Sequence, residues 1–256
     1  MNMKKLLMML ALFGATAAAA LSSANEAVKL DRAPIDVGDL VSLQSGARTF
    51  VNNCLNCHSA SLMRYNRLRD LGLTEAQIKD NLLFTAEKVG ENMNIAMPKG
   101  DAKEWFGAAP PDLSVIARAR GADWIYSYLR GFYRDDSRPT GWNNTVFPNV
   151  GMPHVLWTLQ GQRSYSEEVV KTAGGEPLKD GHGNEVKKAR FEVLVPGSQS
   201  ALQYDHTVRD LTAFLVWMGE PGQLQRKQVG FIVLMVLGFM LVLAWLLKRE
   251  FWKDVH

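Results

Sequence analysis

The chain has 256 residues, with 29 Lys or Arg against 26 Asp or Glu and a formal net charge of +3. The basic surplus sits at the ends: residues 25–225 hold 22 basic and 24 acidic side chains, near −2, and no basic stripe of the kind that grips nucleic acid stands out. Only two cysteines are present, which excludes a framework of several disulfides.

Taken in order, the N-terminus has the layout of a secretory signal over residues 1–24. Lys4 and Lys5 precede an apolar run from Leu6 to Phe13, and small residues lead to Ser22-Ser23-Ala24, with Ala20 a second cleavage point. The run is too short for the roughly 20 apolar residues that span a bilayer. Next, Leu40, Leu43, Ala47, Phe50, Val51 and Cys54 fall at helical spacing behind Asp39, a capping residue. The spacing predicts a helix from Asp39 to about Cys54.

That helix leads into Cys54-Leu55-Asn56-Cys57-His58. Two cysteines separated by two residues, with histidine directly after, form the attachment signature of c-type haem. Each thiol can add to one vinyl group of the macrocycle, and the turn between them carries His58 under the ring to ligate iron. A structural zinc site would need about four protein ligands, and these cysteines have no others to join them. A dithiol redox motif would want a βαβ setting, whereas the flanks read helical.

Thr74-x-x-Gln77 has the form of a capping box and predicts a second helix to about Glu87. Pro110-Pro111-Asp112 reads as the start of a third, and Ala122 to Tyr133 as a fourth, with Trp124, Ile125, Tyr128 and Leu129 on one side. From Arg138 to Pro153 the composition is that of a loop. Within residues 161–200, Phe191 to Val195 suggests a strand of a surface hairpin. The last helix of the body is expected from about Asp205 to Met218, broken by Pro221-Gly222.

Residues 229–247 are 19 residues without a charge, about 28 Å as a helix, which suits a bilayer core. With an exported body (25–225) on one side, the tail 248–256 is expected in the cytoplasm. The mildly acidic body suits electrostatic docking of a basic soluble partner.

A histidine-ligated iron has a second face. Methionine there gives an electron-transfer site of raised potential; an open face gives ligand binding or peroxide chemistry. Met152, between Gly151 and Pro153, and Met97, before Pro98, are the loop methionines, and His154 is a third candidate. His182 and His206 read as surface residues.

In order, Cys54-x-x-Cys57-His58, Pro110-Pro111-Asp112-Leu113-Ser114, Arg118-Ala119-Arg120, Arg138-Pro139-Thr140-Gly141, Phe147-Pro148, Gly151-Met152-Pro153, Phe214-Leu215-x-Trp217, Glu220-Pro221 and the tail ending in Lys248-Arg249 follow a known pattern. By these pieces the chain resembles the cytochrome c1 family, the haem subunits of ubiquinol–cytochrome c oxidoreductase, over nearly its whole mature length. The resemblance implies an all-α, class I cytochrome c-like domain with a small β-hairpin insertion and one C-terminal transmembrane helix. It implies one covalent haem c and makes Met152 the second axial ligand. It also implies that Arg120 meets a haem propionate, and that Pro110 and Pro111 line the pocket. The implied role is a one-electron carrier, with no acid–base catalysis of its own, from a Rieske iron–sulfur protein to a soluble c-type cytochrome. Cytochrome b would be a further partner in a dimeric complex of the plasma membrane, with the haem domain in the periplasm. The alternative is a free-standing anchored cytochrome that serves an oxidase or reductase. Residues 160–200 match the mitochondrial form poorly, and an extra cysteine pair found in some members is missing here, so the support of the Met152 loop must come from elsewhere.

Overall fold

The computed structural model describes residues 30–253 apart from 173, 180 and 182. The expected signal (1–24), His182 and the end of the tail lie outside the described residues.

Helix α1 (Leu40–Asn53) starts where Asp39 accepts hydrogen bonds from the backbone N–H groups of Val41 and Ser42, at 3.0 and 3.2 Å. Its buried face, Leu43, Ala47, Phe50 and Val51, packs on the long helix α7 (Ala201–Gly219), which presents Val208, Leu211, Phe214 and Leu215. The rings of Phe50 and Phe214 lie 5.6 Å apart. The two backbones nearly touch at Gly46, where a Cβ would stand 2.1 Å from the Asp210 carbonyl oxygen. A side chain at position 46 would push the pair apart at that point.

Between α1 and α7 lie short elements. Strand β1 (Ala60–Arg64) pairs antiparallel with β2 (Asn92–Met93), and a 3₁₀ helix covers Tyr65–Leu71. Helix α2 (Glu75–Asn81) carries the expected Thr74–Gln77 capping box. It is shorter than its sequence suggests: the chain turns after Asn81 to bury Leu82 and to bring Thr85 within 2.8 Å of the Tyr65 hydroxyl. Helix α3 (Lys99–Phe106) follows, then α4 (Ile116–Arg120) and α5 (Ala122–Arg130). Both α4 and α5 pack on α7.

Two expectations need correction here. Pro110-Pro111-Asp112 begins no helix; the segment is irregular and α4 starts only at Ile116. Helix α5 ends at Arg130, because the chain beyond Gly131 forms β3 (Phe132–Arg134) against β4 (Trp142–Asn144), which lies inside the stretch expected to be loop.

After the four-residue helix α6 (Trp157–Gln160), β5 (Gly161–Val169) and β6 (Lys187–Pro196) form the expected hairpin, longer than its sequence suggests. An all-α body with a single hairpin is thus met in part: helices form the core, but the described residues include three two-stranded antiparallel sheets. Arg163 fastens the hairpin to β3, its Nη2 donating to the Arg130 and Phe132 carbonyls at 2.5 and 3.0 Å.

A capping box of Ser200 and Gln203 starts α7 four residues earlier than expected. Three residues later the chain enters α8 (Gln223–Phe251), whose 29 residues would reach about 44 Å. No α8 residue is buried, and its apolar stretch is long enough to cross a membrane.

Candidate haem site

The cysteine pair and histidine form one tight turn at the end of α1. Cys54 still donates its backbone N–H to Phe50, and the N–H groups of Cys57 and His58 both return to the Cys54 carbonyl, at 3.1 and 2.9 Å. Both thiols are free, Cys54 buried and Cys57 half-buried. Burial, helped by the neighbouring Cys57, pushes the Cys54 thiol up to about 12.

His58 is nearly buried, and its Nδ1 lies 2.7 Å from the carbonyl oxygen of Pro111. A carbonyl can only accept, so Nδ1 carries the proton and Nε2 keeps its lone pair. Burial holds the His58 pKa below its ordinary 6.5, against the opposing pull of the Pro111 bond and Asp112, so the ring stays neutral. A neutral imidazole with Nδ1 pinned to a carbonyl is the form that ligates a metal through Nε2.

The whole Pro110–Ser114 segment is laced to the strand after His58. Leu113 N–H donates to the Ser59 carbonyl, Ser61 N–H to the Asp112 carboxylate, and Leu62 N–H to Ser114 Oγ, at 2.8, 2.8 and 3.0 Å. Asp112 also accepts from the Ser114 N–H. Partial burial raises its pKa, but the bonds from Ser114 and Ser61 outweigh that and hold it below the ordinary 3.8. The two prolines thus serve by geometry: Pro111 offers its carbonyl, while its ring is exposed and that of Pro110 half-buried.

Met152 sits in a second neighbourhood, reached from α5. Its Sδ accepts a hydrogen bond from the Tyr128 hydroxyl at 3.3 Å. Tyr128 stacks on Trp124 (centroids 4.8 Å, planes 10° apart) and meets Phe132 edge-on at 5.1 Å. Arg120 caps the column, its guanidinium 5.1 Å from the Trp124 ring centre. It is exposed and ends α4, across the Gly121 break from the helix that carries Trp124 and Tyr128. Met97 is half-buried in its own loop.

The support for the Met152 loop is side-chain chemistry that the sequence does not announce. Asn144, fully buried, accepts from the N–H groups of Val146 and Phe147 at 2.8 and 3.2 Å and donates to the Tyr128 carbonyl at 2.8 Å. Asn143 accepts from the Asn149 N–H at 2.8 Å, and Asn149 itself has the left-handed φ of 62° that asparagine tolerates. Arg138 clamps the same asparagine, donating to its side-chain and backbone oxygens at 3.1 and 3.0 Å. His154 seals the far end: 2% exposed, it stacks on Phe132 at 4.7 Å with Trp142 edge-on at 5.1 Å. Burial lowers its pKa to about 3. Tandem asparagines beside Gly-rich and Pro-rich chain were the available signal for this loop support.

Among the described residues, no hydrogen bond or ring contact joins the Cys54–His58 group to the Met152 group. Both groups rest on the α1–α7 core: Cys54 belongs to its cluster, and Tyr128 packs against it. Two free thiols on one turn, a histidine whose Nε2 lone pair is fixed by the Pro111 carbonyl, and a thioether sulfur held from a rigid helix suit a covalently attached haem.

Comparison with known proteins agrees. The family model described as Cytochrome C1 family matches residues 32–174 and 198–255, leaving out most of the loop between β5 and β6 and all of β6. A cytochrome c1 of Allochromatium vinosum is 47% identical over 255 residues, covering 99% of this chain and 100% of that protein. A Nitrosomonas europaea protein named ammonia monooxygenase gamma subunit is also 47% identical, over 91% of this chain and 92% of its own length. The cytochrome c1 of Rhodospirillum rubrum is 30% identical, over 85% and 83%. The chain belongs to the cytochrome c1 family, the membrane-anchored electron carriers of the bc1 complex that hold one covalent haem c.

Proposed function

We propose that this chain accepts single electrons from a Rieske iron–sulfur protein and delivers them to a soluble c-type cytochrome, within a dimeric quinol–cytochrome c reductase that includes cytochrome b. The observation that carries the reading is the His58–Pro111 contact at 2.7 Å beside two free cysteines on one turn. In this reading Cys54 and Cys57 hold the ring as thioethers, His58 Nε2 is one axial ligand and Met152 Sδ the other. The haem supplies the one-electron iron couple, and a thioether ligand sets it high. Arg120, exposed and already placed by Trp124, offers two N–H groups to a propionate. Pro110 and Pro111 form the edge of the pocket. No side chain moves a proton in the cycle.

The packing of α1 on α7 beside the cysteine turn supports a class I cytochrome c fold. In this reading residues 1–24 are a signal sequence and the body, 25–225, lies in the periplasm. Residues 229–247 then cross the plasma membrane, and the tail 248–256 faces the cytoplasm.

A second reading draws on the Nitrosomonas europaea relative, which is named as a subunit of a different oxidoreductase. An anchored cytochrome that serves another enzyme would share every haem residue, so only its companions differ. The test is purification of a tagged chain from its own membranes in mild detergent. Cytochrome b and a Rieske protein in fixed proportion are the expected companions. Recovery of the haem-loaded chain without them overturns the complex and leaves the anchored shuttle. Replacing Met152 with Ala should lower the midpoint potential sharply, and an unchanged redox titration would sink that ligand assignment.

A further inference from the structure

The Met152 sulfur has two lone pairs, and the structure engages one of them. We infer that the Tyr128 hydroxyl tunes the iron couple by donating a hydrogen bond to the axial thioether, raising the potential and holding the sulfur in place. This rests on the reading of Met152 as ligand.

Thioether sulfur has no proton to give, so the 3.3 Å contact has one sense: the phenol donates. Its ring cannot swing away easily. Trp124 lies flat against it at 4.8 Å and Phe132 closes the edge at 5.1 Å. Both Trp124 and Tyr128 belong to α5, one turn apart, so the hydroxyl is delivered by a packed helix rather than by the loop that carries Met152.

The electronic consequence follows from which lone pair is used. A donor on one pair draws electron density from sulfur and weakens its donation through the other. Ferric iron, the more electron-poor state, loses more by this than ferrous iron does, so the reduced form gains. Hydrogen bonding around a ligating sulfur is a recognised lever on potential. The same bond opposes departure of the sulfur, because an incoming ligand must break it as well as the iron bond.

The test uses the full haem-loaded chain in detergent and the variant Tyr128→Phe, which keeps the ring and its stacking and removes only the hydroxyl. The reduction equilibrium should move about three- to tenfold toward the oxidised form, where tenfold is 59 mV for one electron. Ferric protein should also bind added imidazole several-fold more tightly, since the sulfur is displaced more readily. A potential that is unchanged or raised, with imidazole affinity unchanged, overturns the role of Tyr128. The long-wavelength sulfur-to-iron charge-transfer band separates this from failure of the ligand assignment. If ferric wild type lacks the band, or Met152→Ala leaves it intact, the sulfur is not bound and the inference falls with that reading.

Discussion

The two halves of the candidate haem site are built from different materials. Around His58 the chain is held by backbone and short polar side chains that join residues some 50 apart: one turn of cysteines, and the Pro110–Ser114 segment stitched to residues 58–62. Around Met152 the work falls to side chains nearer in sequence, with Asn143, Asn144 and Arg138 bracing the loop and an aromatic column from Trp124 to His154 packed behind it. The first half forms only when two distant segments meet and is then tied by several bonds. The second is built within residues 124–154, from α5, β3, β4 and the loop, and hangs on single side chains. This difference implies that ligand exchange and local opening concentrate on the methionine side.

That contrast can be broken at several strengths. Gly46→Ala attacks what both halves share, forcing a Cβ to 2.1 Å from the Asp210 carbonyl oxygen. It should cost about 3 kcal/mol and disturb both sides together, read as a lower thermal midpoint with both axial spectra altered. Asn144→Ala strikes one half only. Losing two accepted bonds and one donated bond in a fully buried position should cost about 2 kcal/mol. The sulfur band should weaken while the histidine side, followed by the ferrous haem spectrum, stays intact. Equal damage to both sides would contradict the independence of the halves.

A smaller effect belongs to Asp112. Its folded pKa lies below the ordinary 3.8, so its contribution is present above that value and is lost as pH falls through the folded pKa. Denaturant midpoints followed from neutrality to below 3.8 should therefore show an acid-side loss that Asp112→Asn flattens. The smallest effect is expected from Pro111→Ala. The acceptor for His58 is the carbonyl, which any residue supplies, so the haem spectrum should be unchanged and stability should fall by less than about 1 kcal/mol. A lost histidine ligand in that variant would show that the ring of Pro111, rather than its carbonyl, does the orienting.

The same division explains what was legible in the amino-acid order. Cys54, Cys57 and His58 name their chemistry because they lie within five residues, and α1 follows from periodicity and its Asp39 cap, α7 from periodicity, and α8 from its uncharged apolar run. Met152 could not be chosen over Met97 by loop composition; the choice came from an ordered family pattern. Tyr128 reads as one more residue of an aromatic helix face, and nothing near it in sequence shows that its hydroxyl meets a sulfur 24 residues on. Pro110-Pro111 was ambiguous for a related reason. Proline suits a helix start, yet here the segment is claimed by partners some 50 residues earlier, and α4 begins beyond it. The long register of β5 on β6 was hidden by mixed polar composition.

One feature of the fold also limits how electrons can travel. Helix α7, part of the core under the cysteine turn, ends at Gly219, and α8 begins at Gln223, with Glu220 on the linker paired to Arg226. Three residues stretch to about 10 Å at most. On so short a leash the haem domain has almost no sweep, and it cannot travel between a donor and an acceptor as a carrier on a long tether would. If the chain relays electrons as proposed, they would have to be brought to it and fetched from it, with the mobility supplied by its partners.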